Sequence, residues 1–158
     1  MDPIELLRDQ HKEISRLFIA VKGAQGQAKE EAIAQLADAV AVHMLVEERN
    51  LYELLGPRIA EVSEVLDEHL LLKRKMAELL QCDPSSPIFA LQFESFRAQL
   101  IQHFGEEERE IFAIAIGNLF PEELEELASS MLETCRDLEG NEPTRAVLSE
   151  PAVAAPLQ

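Results

Sequence analysis

Cysteine, positive charge and long apolar runs are all scarce in this chain. Its two cysteines, Cys82 and Cys135, are far apart and form no C-x-x-C, so a disulfide framework or a redox pair is disfavoured and two reduced thiols are expected. Lys and Arg number 14 against 30 Asp and Glu, for a net charge of −16. Such a surface repels nucleic acid phosphates and anionic lipid headgroups, and no basic groove is present; neither nucleic acid nor membrane is expected as a partner. No apolar run approaches the ~18–20 residues that cross a bilayer. The first residues, MDPIELLRDQ, are polar and acidic rather than a basic-then-apolar leader, so a cytoplasmic protein is expected. Six glycines and few β-branched clusters point to helix. The chain has no Gly-rich phosphate loop and no Ser-His-Asp or Cys-His spacing, so no catalytic residue is assigned.

What is present is a chain of 158 residues, 47% hydrophobic and 28% charged, enough for one domain with a real core. Asp2-Pro3 is an N-cap followed by proline, and opens a first helix along Ile4, Leu7, Ile14, Phe18 and Val21. Gly23 to Gly26 ends it. A second helix is expected over about 27–55, halted by Gly56-Pro57, and a third over about 58–81. The loop CDPSSP leads to Ser86-Pro87, which starts a fourth helix carrying Phe89, Phe93, Phe96 and Leu100, with Ile111 and Ile114 beyond. Pro121 opens a shorter fifth helix with an acidic first turn. From Gly140 three prolines and no periodicity suggest a flexible tail. The expectation is an all-α, up-down-up-down four-helix bundle with a short C-terminal fifth helix over residues 1–139, and a flexible tail over 140–158.

The sequence also repeats itself. DQHKEISRLF at residue 9 matches DEHLLLKRKM at 67, and HMLVEERNLY at 43 matches HFGEEEREIF at 103. Each half thus supplies one His and then a His-x-x-x-Glu: His11, His43 and Glu47, then His69, His103 and Glu107. All four histidines fall on apolar stripes. Where a stripe covers roughly three-sevenths of a helix, that arises by chance on the order of a few per cent of the time. At a rise of ~1.5 Å per residue the six side chains converge on one cross-section of an antiparallel bundle. Two unpaired carboxylates there would cost several kcal/mol, and no inward Lys or Arg is apparent at that level. A bound cation answers the problem. Imidazole with carboxylate suits iron, zinc or manganese, and the lack of thiolate ligands disfavours structural zinc. Two Glu facing each other across a pseudo-twofold axis are placed to bridge two ions.

The combination of His11, His43-x-x-x-Glu47, His69 and His103-x-x-x-Glu107 resembles the hemerythrin-like (HHE cation-binding) domain over about residues 1–120. That resemblance implies a four-helix bundle with two irons, oxo- or hydroxo-bridged. His11, His43, His69 and His103 would be terminal ligands, and Glu47 and Glu107 would bridge. The Glu-x-x-His of ferritin-type bundles is missing. Oxygen-carrying hemerythrins use a fifth His, four residues after the third-helix His, and Lys73 stands at that place. Two octahedral irons then keep about two open positions. A symmetric pair of open sites suits reaction with, or sensing of, dioxygen, peroxide or nitric oxide better than reversible oxygen carriage, and catalase or peroxidase activity is one outcome. The alternative is an iron-binding protein without catalysis, or a helical interaction module stapled by metal, with a protein partner on the acidic surface or tail.

Tyr52 lies well away from Glu47 in α-helical angle and is expected only to pack. Glu48, Glu106, Glu108 and Glu110 are expected on a solvated face. Gly105 is expected to mark close helix contact.

Overall fold

The computed structural model describes residues 1–139 and 144–149, all of whose regular elements are helical. Asp2 accepts a hydrogen bond from the Ile4 amide at 2.9 Å, and Pro3 begins α1, Pro3–Gly23. Its buried stripe is Ile4, Leu7, His11, Ile14, Phe18 and Val21, as the spacing requires. Only two residues separate α1 from α2, Gly26–Val46. Gly26 closes that reversal at φ +60, a conformation open to glycine and strained for other residues.

After α2 the chain does not stay α-helical. A π turn, Glu47–Leu51, leads into α3, Tyr52–Leu55. The second half repeats this plan. Helix α4, Val62–Gln81, is followed by α5, Pro87–Glu106, which begins with the Ser86 hydroxyl accepting from the Phe89 amide. A second π turn, Glu107–Ile111, then runs into α6, Phe112–Asn118. The two hairpins pack side by side, α1 against α2 and α5, and α4 against α5 and α2. The third helix of the bundle starts later than expected, because residues 56–61 form turns after Gly56-Pro57.

The fifth helix forms where Pro121 opens it. Helix α7, Pro121–Glu139, spans nineteen residues and lies on α1, α2 and the first π turn, burying Leu127, Ala128 and Met131. Of the expected tail, residues 140–143 and 150–158 lie outside the described residues. The intervening Thr144–Ser149 forms a 3-10 turn docked on α2 and α4. Leu148 is buried in the core there, and Arg145 pairs with Asp38 at 2.9 Å. One buried leucine and one ion pair anchor what composition alone reads as unstructured.

Two apolar clusters make the core. One gathers Phe18, Val40, Met76, Phe89 and Phe96; the other gathers Ile4, Leu7, Leu55, Phe112 and Met131. The polar residues His11, His43, Glu47, His69, His103 and Glu107 come from helix segments between the two clusters. No helix among the described residues is long and apolar enough to cross a membrane.

Nothing lies within 4 Å of a Cβ built on Gly26, so the cost of a side chain there is purely conformational. Gly26→Ala is expected to destabilise the protein by about 1–2 kcal/mol. Gly23→Ala, also with open space and at the end of α1, is expected to cost far less. Chemical denaturation of the two variants checks the contrast.

Candidate metal centre

All six residues singled out by the repeat come together, each 5% exposed or less. They form two overlapping groups whose ligand-type atoms lie within 4.8 Å of one another. His11, His43, Glu47 and Glu107 make one; Glu47, His69, His103 and Glu107 make the other. The two carboxylates are common to both. Within each group the imidazoles meet through Nε2, His11 to His43 at 3.2 Å and His69 to His103 at 3.1 Å. Glu107 turns Oε1 to His11 Nε2 at 3.0 Å and Oε2 to His103 Nε2 at 3.6 Å. Glu47 Oε1 lies 3.1 Å from His43 Nε2 and 3.4 Å from His69 Nε2.

Behind three of the four rings stands an oxygen. Gln10 Oε1 is 2.8 Å from His43 Nδ1, Glu48 Oε2 is 2.9 Å from His69 Nδ1, and Glu68 Oε1 is 3.2 Å from His103 Nδ1. Such acceptors hold Nδ1 protonated and leave the Nε2 lone pair facing inward, the tautomer a metal ligand needs. His11 is fixed instead by stacking on Phe104, with ring centroids 3.8 Å apart.

Three of these neighbours were expected elsewhere. Tyr52 is fully buried and its hydroxyl donates to Glu107 Oε2. An α-helix would set Tyr52 about 140° from Glu47 at 100° per residue. The π turn beginning at Glu47 takes more residues per turn, and so brings the fifth residue back near its face. The same phase shift buries Leu51, Leu55 and Ala115, where the α-helical stripe would bury Asn50, Leu54 and Ile114. Glu48 is 2% exposed rather than solvated, and it also accepts from Lys73 Nζ at 2.6 Å. Lys73 is itself buried, an inward cation after all. Gly105 leaves room for the Arg109 guanidinium, whose Nη1 would sit 3.0 Å from an added Cβ, rather than for another helix.

Burial lowers the His43 pKa to about 3 and also depresses that of His11, so both are neutral and free to donate a lone pair. Burial raises the Glu47 carboxyl well above its ordinary 4.5, and the facing Glu107 charge adds to the effect. Burial acts the same way on Glu107, but the hydrogen bond to His11 and the facing Glu47 carboxyl reverse it and hold Glu107 ionised. For His69 the desolvation that lowers its pKa is outweighed by the Glu47 carboxyl 3.4 Å away and the hydrogen bond with Glu48. Both Glu47 oxygens and His11 Nδ1 are buried without a hydrogen bond. Orphaned carboxylate oxygens beside four imidazoles are the donor set of a divalent or trivalent cation. The residues fit one.

A cleft of about 110 Å³ between α4, α5 and the second π turn reaches this centre. His103 and Glu107 form part of its lining, with Glu61, Glu64, Glu68, Glu106 and Glu110. An acidic cleft favours cations and neutral molecules over anions.

The raised Glu47 value gives a signed prediction for the metal-free protein. A carboxyl with a folded pKa above its unfolded one stabilises fully below 4.5 and loses that contribution as pH climbs through the folded value. Glu47→Gln carries no charge to desolvate. Its stability is therefore expected to overtake that of the parent as pH rises above 4.5. His43 acts in the opposite direction below 6.5, and Glu107 responds together with Glu47, so the difference in melting free energy reads the proton shared by the two facing carboxyls. A difference that shrinks with rising pH would contradict the assignment.

Comparison with known proteins agrees with this geometry. Residues 2–115 match the family model of the Hemerythrin HHE cation binding domain. The crystal structure of a Hemerythrin HHE cation binding domain-containing protein from Mycobacterium kansasii superposes with a TM-score of 0.82 over 99% of both chains at 21% identity, which shows a common fold. A protein of Nostoc sp. named DNA nickase is 25% identical over 132 residues, 79% of this chain. The chain covers only 36% of that relative's length. From the match over most of its length, and from a helical bundle whose His and Glu groups are able to hold a metal, the chain belongs to the Hemerythrin HHE cation binding domain family.

Proposed function

We propose that the centre holds two irons, with His11 and His43 on one, His69 and His103 on the other, and Glu47 and Glu107 bridging. The observation that carries this reading is the pair of overlapping four-residue groups sharing both carboxylates. One ion would leave one imidazole pair without work; two ions give each pair its own. The donor set of nitrogen and carboxylate oxygen, without thiolate, suits iron. Both free cysteines stand outside these groups.

A centre of this kind supplies one- and two-electron exchange with small oxygen and nitrogen species, and we infer that dioxygen, peroxide or nitric oxide is the ligand. The protein's own part is to exclude bulk water with two apolar clusters, to keep His11 and His43 neutral, and to orient His43, His69 and His103 through the oxygens behind them. The Tyr52 hydroxyl is a proton donor already in hydrogen-bond contact with Glu107. The acidic cleft admits such neutral molecules and discourages anions. Where a fifth imidazole would close one side, Lys73 is instead held by Glu48, so it adds no ligand. That supports irreversible oxidation and redox sensing or peroxide removal over oxygen carriage. The formal charge of −16 argues against nucleic acid as the partner of this domain, whatever the longer Nostoc relative does as a whole.

Anaerobic reconstitution with ferrous iron is expected to leave about two ions per chain, with near-ultraviolet absorption after oxidation. Stopped-flow mixing of the reduced protein with oxygen should show oxidation without a long-lived oxygenated form. Some peroxide decomposition should follow, and His69→Ala or His103→Ala should abolish it. One ion or none sinks the dinuclear reading. A stable oxygen adduct released intact under vacuum restores the carrier.

A further inference from the structure

The internal repeat makes the two halves of the centre look equivalent, but the residues behind the imidazoles are not. Pairing the repeats sets Gln10 against Glu68, Ser15 against Lys73, Glu48 against Glu108 and Tyr52 against Phe112. Three of these pairs differ in residue type, and the fourth, Glu48 and Glu108, differs in its surroundings. On one side His69 is backed by Glu48 at 2.9 Å and His103 by Glu68 at 3.2 Å, two carboxylates. On the other, His43 is backed by the neutral amide of Gln10. His11 Nδ1 is buried without a hydrogen bond, because Glu108 stops 3.8 Å away and lies 3.6 Å from the Arg8 guanidinium.

Lys73 is what makes the difference last. A carboxylate as buried as Glu48 needs a partner of opposite charge to stand there. The Lys73 ammonium, 2.6 Å away and equally enclosed, is that partner and fixes the carboxylate behind His69. Ser15 in the other repeat carries no charge that could do this for Glu108.

We propose that the two metal positions are unequal and fill in order, the His69/His103 position first and the His11/His43 position second. A carboxylate behind an imidazole raises its donor strength and fixes its orientation, and loss of such a partner weakens metal binding about 10–100-fold. The first position has two such ligands and the second has none. One interaction runs the other way: Tyr52 donates to Glu107 Oε2, the oxygen turned towards His103. That hydrogen bond weakens a single oxygen of a shared carboxylate, whereas the carboxylate partners strengthen both imidazoles. The balance favours the His69/His103 side. Such a protein has a stable one-metal state, and its second ion is the one exchanged with the surroundings. The idea rests on the dinuclear reading above.

The test is an anaerobic ferrous titration of the full chain followed by native mass spectrometry, which separates zero-, one- and two-metal forms. At one equivalent the one-metal form is expected to exceed the half of the population that two equal, independent sites would give. Glu48→Gln should weaken the first step about 10–100-fold and the second little. Glu108→Gln, its counterpart in the repeat, should leave both steps unchanged. Should Glu48→Gln alone fail to fold, the double change Glu48→Gln, Lys73→Gln removes both buried charges and tests the same step. A one-metal form at or below half, or equal effects of Glu48→Gln and Glu108→Gln, overturns the ordered filling. Uptake of fewer than two ions at saturation overturns the dinuclear reading instead.

Discussion

Two carboxylates, Glu47 and Glu107, face each other in the middle of the bundle at 0% and 2% exposure. Everything around them answers the cost of that arrangement. Without a cation, one proton must be held between them, which is why Glu47 is pushed up and Glu107 pulled down. Imidazoles can lend a lone pair to a metal, but His11 and His43, held neutral by burial, cannot neutralise two carboxylate charges. The fold therefore carries a built-in destabilisation that metal binding relieves, and site and stability are coupled.

The bundle meets this demand by separating its apolar core into two clusters with the polar residues between them. Both π turns begin at one of the two facing carboxylates, Glu47 in one hairpin and Glu107 in the other. A widened turn at that point re-phases the helix beyond it. Leu51, Tyr52 and Leu55, and likewise Ile111, Phe112 and Ala115, can then face inward although the six polar residues have just occupied the same face. Helix α7 covers the first of these re-phased segments, and Gln10 ties it to the centre: its amide nitrogen donates to Cys135 Sγ at 3.6 Å while its oxygen meets His43.

The environment of the imidazoles shows how a duplicated hairpin can acquire two different halves. The ligating residue types are the same in both repeats, whereas the residues one step behind them differ. Those outer residues change orientation, charge and donor strength without changing the ligand set. Lys73 belongs to this outer layer. Its place in the sequence suggests a missing ligand, and its place in the fold shows the counter-ion of Glu48.

Helices, caps and the six ligand-type residues could be read from the sequence, because each depends on local spacing. Asp2-Pro3 and Ser86-Pro87 start helices by satisfying nearby amides, and His11, His43, Glu47, His69, His103 and Glu107 announce themselves as polar breaks in apolar stripes. Tyr52, Glu48 and Lys73 could not be read in that way. Their burial follows from two π turns and from packing of α4 against α2, and an angle computed at 100° per residue places Tyr52 on the wrong face. The anchoring of Thr144–Ser149 is likewise a long-range matter, since Arg145 meets Asp38 across more than a hundred residues. The sequence by itself determined which groups must meet at the centre, because helical periodicity aligns them. Only the tertiary structure decided what stands behind them, because that depends on where the helical phase slips and which neighbouring helix lies across the gap.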